Sequence, residues 1–305
     1  MSRTRVRGLA AVSVVVIALS GAVPARAAGL APGDTGKGVK RLQVRVAGWF
    51  PGSRTKVHFA LDGVYGAQTT SAVRALQRHY GLLADGIAGP STYAILRRLG
   101  DADGSTKHFD YSEFTQNHNP ACSAQANAYA GTFGGGRATR RRVRRNVRRV
   151  MWRLEAVRAK ARRAPIGINS AFRSVAYNSC IGGAGLSQHM YGTAVDNRMA
   201  EVPNRRARTL AKGSEFHGIG CYAALSHNHM DIRMDNSDLP GARAWWWPDR
   251  DPRGRDLDAS GKICWGQRRG PVSAAASRPD VSVITASELW AWARAGEPHP
   301  LRGAD

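Results

Sequence analysis

His189 and Asp196 stand seven positions apart in the stretch Ser187-Gln-His-Met-Tyr-Gly-Thr-Ala-Val-Asp196, and His227-Asn-His-Met-Asp231 follows about thirty residues later. Two imidazoles and one carboxylate, with a fourth position left to water, is how catalytic zinc is held. Seven residues of helix would separate the first two donors by roughly 10 Å, and seven of strand by about 23 Å. Donors to one ion must lie far closer, so the chain has to bend between them. Gly192 lies where the bend must fall, because glycine adopts backbone angles that other residues avoid.

The second segment reads as a strand. From Leu225 to Met234, His227, His229, Asp231 and Arg233 alternate with Asn228, Met230, Ile232 and Met234. This period of two gives one polar, ligand-rich face and one largely apolar face. The chain has nine histidines, enough to place a His-x-His pair on a surface by chance. The coincidence of both segments with a bend glycine points to a metal site.

Residues 1–27 have the form of a secretory signal peptide. Arg3, Arg5 and Arg7 precede an apolar run from Leu9 to Val23, and Ala25-Arg-Ala27 matches a cleavage site. The apolar run is too short and too interrupted for a membrane span, and no other segment approaches that length. The mature chain is therefore expected outside the cytoplasm, secreted or associated with a cell wall. Four cysteines, Cys122, Cys180, Cys221 and Cys264, lack metal-binding spacing. An even count in an oxidising compartment suggests two disulfides, with three connectivities open.

Residues 30–100 contain an internal repeat. Val39-x-x-Leu-Gln43 recurs as Val73-x-x-Leu-Gln77, and Asp62-Gly-Val-x-Gly-x-x-Thr69 recurs as Asp85-Gly-Ile-x-Gly-x-x-Thr92. Val39, Leu42 and Val46 share a helical face, as do Val73, Leu76 and Tyr80. Asp-Gly-x-x-Gly gives a turn, and Pro90-Ser-Thr opens another helix. A three-helix domain follows, joined by a polar linker at 101–107 to a second domain at 108–267. In that domain Val143, Val147, Val150, Met151, Leu154 and Val157 form one apolar stripe between Arg140 and Arg163, with arginines around the remainder. Residues 268–305 read as a low-complexity tail, rich in Ala, Ser and Pro from Gly270 to Pro279.

The formal net charge is +23. Clustered arginines can neutralise nucleic-acid phosphates, yet no helix-turn-helix, zinc-finger or aromatic-interleaved pattern is present. For an exported chain, attraction to anionic wall polymers is the simpler account.

Residues 166–233 resemble the secreted zinc D-alanyl-D-alanine carboxypeptidases of bacteria, which share a metal fold with lysostaphin-type and Hedgehog-type domains. The matching pieces are Phe172-Arg-Ser174, Asn178 with Gly182-Gly183-Ala184, Ser187-x-His189-x-x-Gly192-x-Ala194-x-Asp196, and His227-x-His229. The repeat segment resembles the peptidoglycan-binding domain attached to wall hydrolases. Together these resemblances imply an α+β peptidase domain with a central antiparallel sheet behind a helical wall-binding domain. They imply Zn2+ held by His189, Asp196 and His229, and substrate contacts from Arg173 and Ser187, where a guanidinium can pair twice with a carboxylate. They also favour the pairings Cys122–Cys180 and Cys221–Cys264. The enzyme is expected to act as a monomer on peptidoglycan, as a carboxypeptidase or a cross-link endopeptidase. The rival reading is a wall-binding protein with a degenerate, non-catalytic metal site.

One departure from the resembled pattern concerns the general base. Those enzymes place a carboxylate three residues before the last zinc histidine, where this chain has Ser226. Asp231, two residues past His229 on the same strand face, is the expected base, and His227 the group that stabilises developing oxyanion charge. Glu215 is the reserve carboxylate.

Overall fold

The computed structural model describes residues 29–51, 58–115, 119–125, 133–221, 227–235 and 245–248. The signal-peptide segment, the tail and Cys264 lie outside the described residues, as does Ser226.

The first part of the chain carries helices α1 (Lys37–Val46), α2 (Ala67–His79) and α3 (Pro90–Leu99), with a 3-10 turn at Ala47–Trp49 after α1. Each buries the face that its apolar spacing marks: Val39, Leu42 and Val46; Ala72, Val73 and Leu76; Ile95, Leu96 and Leu99. The repeat has a definite physical content. The Gln43 amide donates to Asp62 Oδ1 at 2.8 Å, Val64 O at 3.0 Å and Thr69 Oγ1 at 3.1 Å, and its oxygen accepts from Gly63 N at 2.8 Å. The Gln77 amide donates to Asp85 Oδ1 at 2.7 Å, Ile87 O at 3.0 Å and Thr92 Oγ1 at 3.1 Å, and accepts from Gly86 N at 2.9 Å. One buried glutamine thus satisfies the polar groups of each Asp-Gly turn and ties that turn to the following helix.

Helix α4 (Arg140–Lys160) is shared by two hydrophobic cores. Val143, Val147, Val150, Met151, Leu154 and Val157 enter the core of the second part of the chain, each worth roughly 1.5–3 kcal/mol when fully buried. Trp152 and Ala156 enter the core of the first. The expected single stripe is therefore two-sided. Close approach to the 3-10 turn is possible because residue 48 is glycine: a Cβ there would lie 2.7 Å from that of Ala156. The polar segment 101–107 is folded back rather than extended. Lys107 N donates to Leu99 O at 3.0 Å, and Ser105 and Thr106 are buried.

The second part builds a sheet from β1 (Ile166–Ser170), β2 (Ala194–Met199), β3 (Gly218–Cys221), β4 (Asn228–Asp231) and β5 (Trp245–Pro248), in the order β1-β2-β4-β3-β5. Four strands pair antiparallel as expected; β5 adds a parallel edge beside β3. Helices α5 (Val175–Cys180) and α6 (Asn204–Lys212) complete the α+β domain. The strand expected from Leu225 to Met234 is shorter. Hydrogen bonding of β4 covers Asn228–Asp231, and Arg233 belongs to a 3-10 turn, Arg233–Asp235.

Cys122 and Cys180 form a disulfide, joining the 3-10 helix Pro120–Gln125 to the end of α5. The expected partner of Cys221 is Cys264, outside the described residues. Among those residues no helix is long and apolar enough to cross a membrane.

Candidate metal centre

His189 lies on a 3-10 turn, Gln188–Tyr191, which Gly192 closes in the left-handed region with φ of 67°. The chain then reverses into β2, whose third residue is Asp196. Two constraints require glycine at 192. A side chain is strained at this φ, and a Cβ would lie 2.8 Å from Val143 of α4. The β2–β4 register places Asp196 directly opposite His229, so one turn and one strand pair bring three donors together.

Their geometry is tight. His189 Nε2 and His229 Nδ1 are 3.2 Å apart, with Asp196 Oδ1 at 3.3 Å from the first and 2.9 Å from the second. Tetrahedral zinc with bonds of about 2.0–2.1 Å has donor–donor edges of about 3.3 Å. Neighbouring groups take the remaining polar atoms. His189 Nδ1 meets Ala171 O at 2.6 Å, which fixes its proton there and leaves Nε2 as the free lone pair. His229 Nε2 meets Asp231 Oδ2 at 3.2 Å, which turns Nδ1 towards Asp196 Oδ1 and His189 Nε2. Arg173 Nη2 donates to Asp196 Oδ2 at 2.7 Å and its Nε to Ser170 Oγ at 2.9 Å, so Oδ1 alone faces the imidazoles. Three buried lone pairs converging on one point fit a divalent cation, and partners of this kind orient zinc ligands.

The electrostatics of His189 and Asp196 agree. Burial, reinforced by Arg173, pushes the pKa of His189 down to about 4 against the pull of Asp196. Its imidazole is therefore neutral, as a ligand must be. Burial would raise Asp196, but His189 and His229 hold it well below the ordinary carboxylate range. For His229 burial is outweighed by Asp196 and Asp231, and the pKa is raised.

The expected base, Asp231, lies behind His229 rather than beside the converging donors. Asp231 is fully buried, and its carboxylate lies on the His229 Nε2 side, away from the converging lone pairs. Its oxygens accept from Arg233 N at 3.0 Å and from Arg233 Nη2 at 2.5 Å as well as facing His229. Asp231 shares a strand face with His229, but the imidazole stands between its carboxylate and the converging donors. Gly218 on β3, opposite Asp231 in register, leaves the space that the carboxylate fills. Glu215 is not at the centre either: its Oε2 accepts from Phe59 N at 3.0 Å. His227 stays close, one residue before β4, half-buried and within electrostatic reach of Asp196, His229, Arg198 and Arg173. Ser187 is half-buried at the start of the His189 turn. Arg173 bonds Asp196, and its side chain keeps 15% exposure. Ser170 and the Ala171 carbonyl had no usable signal in the sequence, because each contact depends on how strands and turns meet, whereas Arg233 stands two residues from Asp231 on the face that the alternation marks.

A turn-and-strand scaffold presenting two imidazoles and one carboxylate to a single buried point defines the class, a mononuclear metallohydrolase centre. Comparison with known proteins is specific. Residues 107–231 match the family described as Peptidase M15, and residues 35–96 match "Putative peptidoglycan binding domain". The chain is 39% identical over 212 residues, 70% of its own length and 71% of the relative's, to the zinc D-Ala-D-Ala carboxypeptidase of Streptomyces albus G. It is also 44% identical over 68 residues to a "Probable N-acetylmuramoyl-L-alanine amidase" of Bacillus licheniformis, a match spanning 22% of this chain and 18% of that protein. The chain belongs to the peptidase M15 family. It is a zinc metallopeptidase of peptidoglycan, with a peptidoglycan-binding domain ahead of the peptidase domain.

Proposed function

We propose that this chain is a secreted enzyme that removes the terminal residue from D-alanyl-D-alanine ends of peptidoglycan stem peptides. The observation that carries the reading is the convergence of His189 Nε2, Asp196 Oδ1 and His229 Nδ1 at 2.9–3.3 Å. These residues would hold the zinc. When bound, zinc polarises a scissile carbonyl and lowers the pKa of water towards neutrality. Arg173 fixes the outer oxygen of Asp196 and presents its exposed edge to a substrate carboxylate. With Asp231 committed to His229 and Arg233, proton transfer falls to His227. Burial lowers the pKa of His227, with Asp196 opposing, so its imidazole is neutral and able to accept a proton. His227→Gln is expected to cost about 10²-fold or more in turnover with zinc content intact.

Two further parts of the reading concern location and partner. The basic, then apolar, then Ala-x-Ala start of residues 1–27 supports secretion. A cleft of about 890 Å³ between α1 and α4 is lined by Lys37, Lys40, Arg41 and Arg45 on one side and Arg141, Arg145, Arg148 and Arg149 on the other. Such a predominantly basic cleft suits the anionic polymers of a cell wall.

Digestion of purified muropeptides, followed by mass spectrometry, tests the reaction. Loss of one D-alanine from pentapeptide stems, stopped by a chelator, is expected. Conversion of cross-linked dimers to monomers would make the enzyme an endopeptidase, and no chelator-sensitive hydrolysis at all would overturn the reading.

A further inference from the structure

A second cluster of metal-ligating groups lies where the two cores meet, apart from the zinc centre. His58 belongs to the N-terminal part, next to Phe59, which is buried in that core. His217 immediately precedes β3, and Asp235 ends the 3-10 turn after β4. Each offers one donor atom, and these atoms all lie within 4.8 Å of one another. His58 Nδ1 is 3.1 Å from His217 Nε2, and His58 Nε2 is 3.4 Å from Asp235 Oδ1. The two distances start from different nitrogens of the His58 ring, so with one His58 donor the set is looser than the 2.9–3.3 Å edges of the zinc centre and would draw in around an ion.

The resemblance extends to the surroundings. At the zinc centre a guanidinium takes the outer oxygen of Asp196 and leaves Oδ1 facing the imidazoles. Here Arg153 Nη2 donates to Asp235 Oδ2 at 2.9 Å, both side chains being fully buried. Asp235 Oδ1 is left buried without a hydrogen-bond partner, because the approach of His58 lacks hydrogen-bond geometry. An unpaired buried carboxylate oxygen is costly, and a cation would satisfy it. Glu215 Oε2 stands 3.5 Å from His217 Nε2 and 3.7 Å from His58 Nδ1, so a further carboxylate adjoins the two imidazoles. The charge balance is also the same. Asp235 and Glu215 are set against Arg153 and Arg149, the latter donating to the Asp235 carbonyl at 3.2 Å. At the zinc centre Asp196 and Asp231 are set against Arg173 and Arg233. His58 and Asp235 both line the basic cleft, which supplies an entry path.

We propose that His58, His217 and Asp235 bind a second divalent transition-metal ion of the zinc class, which clips the N-terminal domain onto the peptidase domain. Its ligands come from both sides of the domain boundary, so its role is to fix the wall-binding surface relative to the cleft. His58 has no part in the zinc centre, so the two sites are separable by mutation.

The experiment uses full-length protein, dialysed to equilibrium against buffered free zinc and analysed for metal. Two equivalents per chain are expected in the wild type, one in His58→Ala, one in Asp196→Ala and none in the double variant. His58→Gln, which keeps side-chain bulk at a partly exposed position, is expected to match His58→Ala. His58→Ala should retain chelator-sensitive hydrolysis, and each single variant should show a smaller zinc-dependent rise in melting temperature than the wild type. Saturation of the wild type at one equivalent, or equal zinc in wild type and His58→Ala, would overturn the proposal. Two equivalents remaining in Asp196→Ala would instead overturn the ligand set of the catalytic centre.

Discussion

The glutamine-centred repeats of the N-terminal domain and the metal centre of the peptidase domain are both buried polar constellations, but they are assembled over different distances. Gln77 closes its network within 8–15 residues and Gln43 within 19–26, yet corresponding hydrogen bonds agree to within 0.1 Å. Inserting residues between glutamine and turn changes the loop-closure entropy only slowly and leaves the geometry alone. The candidate metal centre joins His189 and Asp196 to His229 across 40 and 33 residues. It depends on a turn closed by Gly192, a strand register and a carboxylate behind one of its ligands. A local polar network carries its instructions in its own motif, whereas the centre borrows them from the sheet.

The largest effect expected from breaking this contrast is at Asp196. Asp196→Ala should lose one zinc equivalent and all measurable hydrolysis, while sedimentation with peptidoglycan stays at the wild-type level. Full zinc retention would remove Asp196 from the ligand set. Replacing Cys122 and Cys180 by serine opens a 58-residue separation in the peptidase domain. It should cost about 2–4 kcal/mol in the unfolding transition; an unchanged denaturation midpoint would show that the bridge adds nothing.

Asp231→Asn probes the borrowed part directly. Zinc affinity should fall about 10–100-fold, as for other partners of ligating histidines, with hydrolysis recovering as zinc is raised. A turnover loss of about 10²-fold in the fully loaded variant would return Asp231 to the role of base. Gln43→Ala and Gln77→Ala should each cost about 1–3 kcal/mol by leaving turn polar groups unpaired. Equal costs in a denaturant titration are the signature of a true repeat, and a cost confined to one would break the equivalence. The smallest change is expected from salt. Near 1 M salt, where screening shortens to about 3 Å, sedimentation of the full chain with peptidoglycan should persist; its disappearance would reduce wall binding to charge.

Much of this was legible one segment at a time. The repeat spacing marked both Asp-Gly turns and the faces of α1 and α2. The gap between His189 and Asp196 demanded a bend, and Gly192 supplies it with a positive φ. Alternation placed His229 and Asp231 on one face of β4, yet could not say which lay nearer the donors of His189 and Asp196. That order is set by β3, where Gly218 makes room for the Asp231 carboxylate. The apolar stripe of α4 was equally plain, but not that Trp152 and Ala156 serve the other core.

Residue chemistry and spacing by themselves determined the donor types, the turn that separates two of them, the helical repeat and the excess of positive charge, because each is a property of a short stretch of chain. Only the tertiary structure decided where the Asp231 carboxylate lies, where Arg173 points and that His58 meets His217 and Asp235. Those depend on strand register, on the packing of α4 between two cores and on which polar atoms burial leaves unpaired.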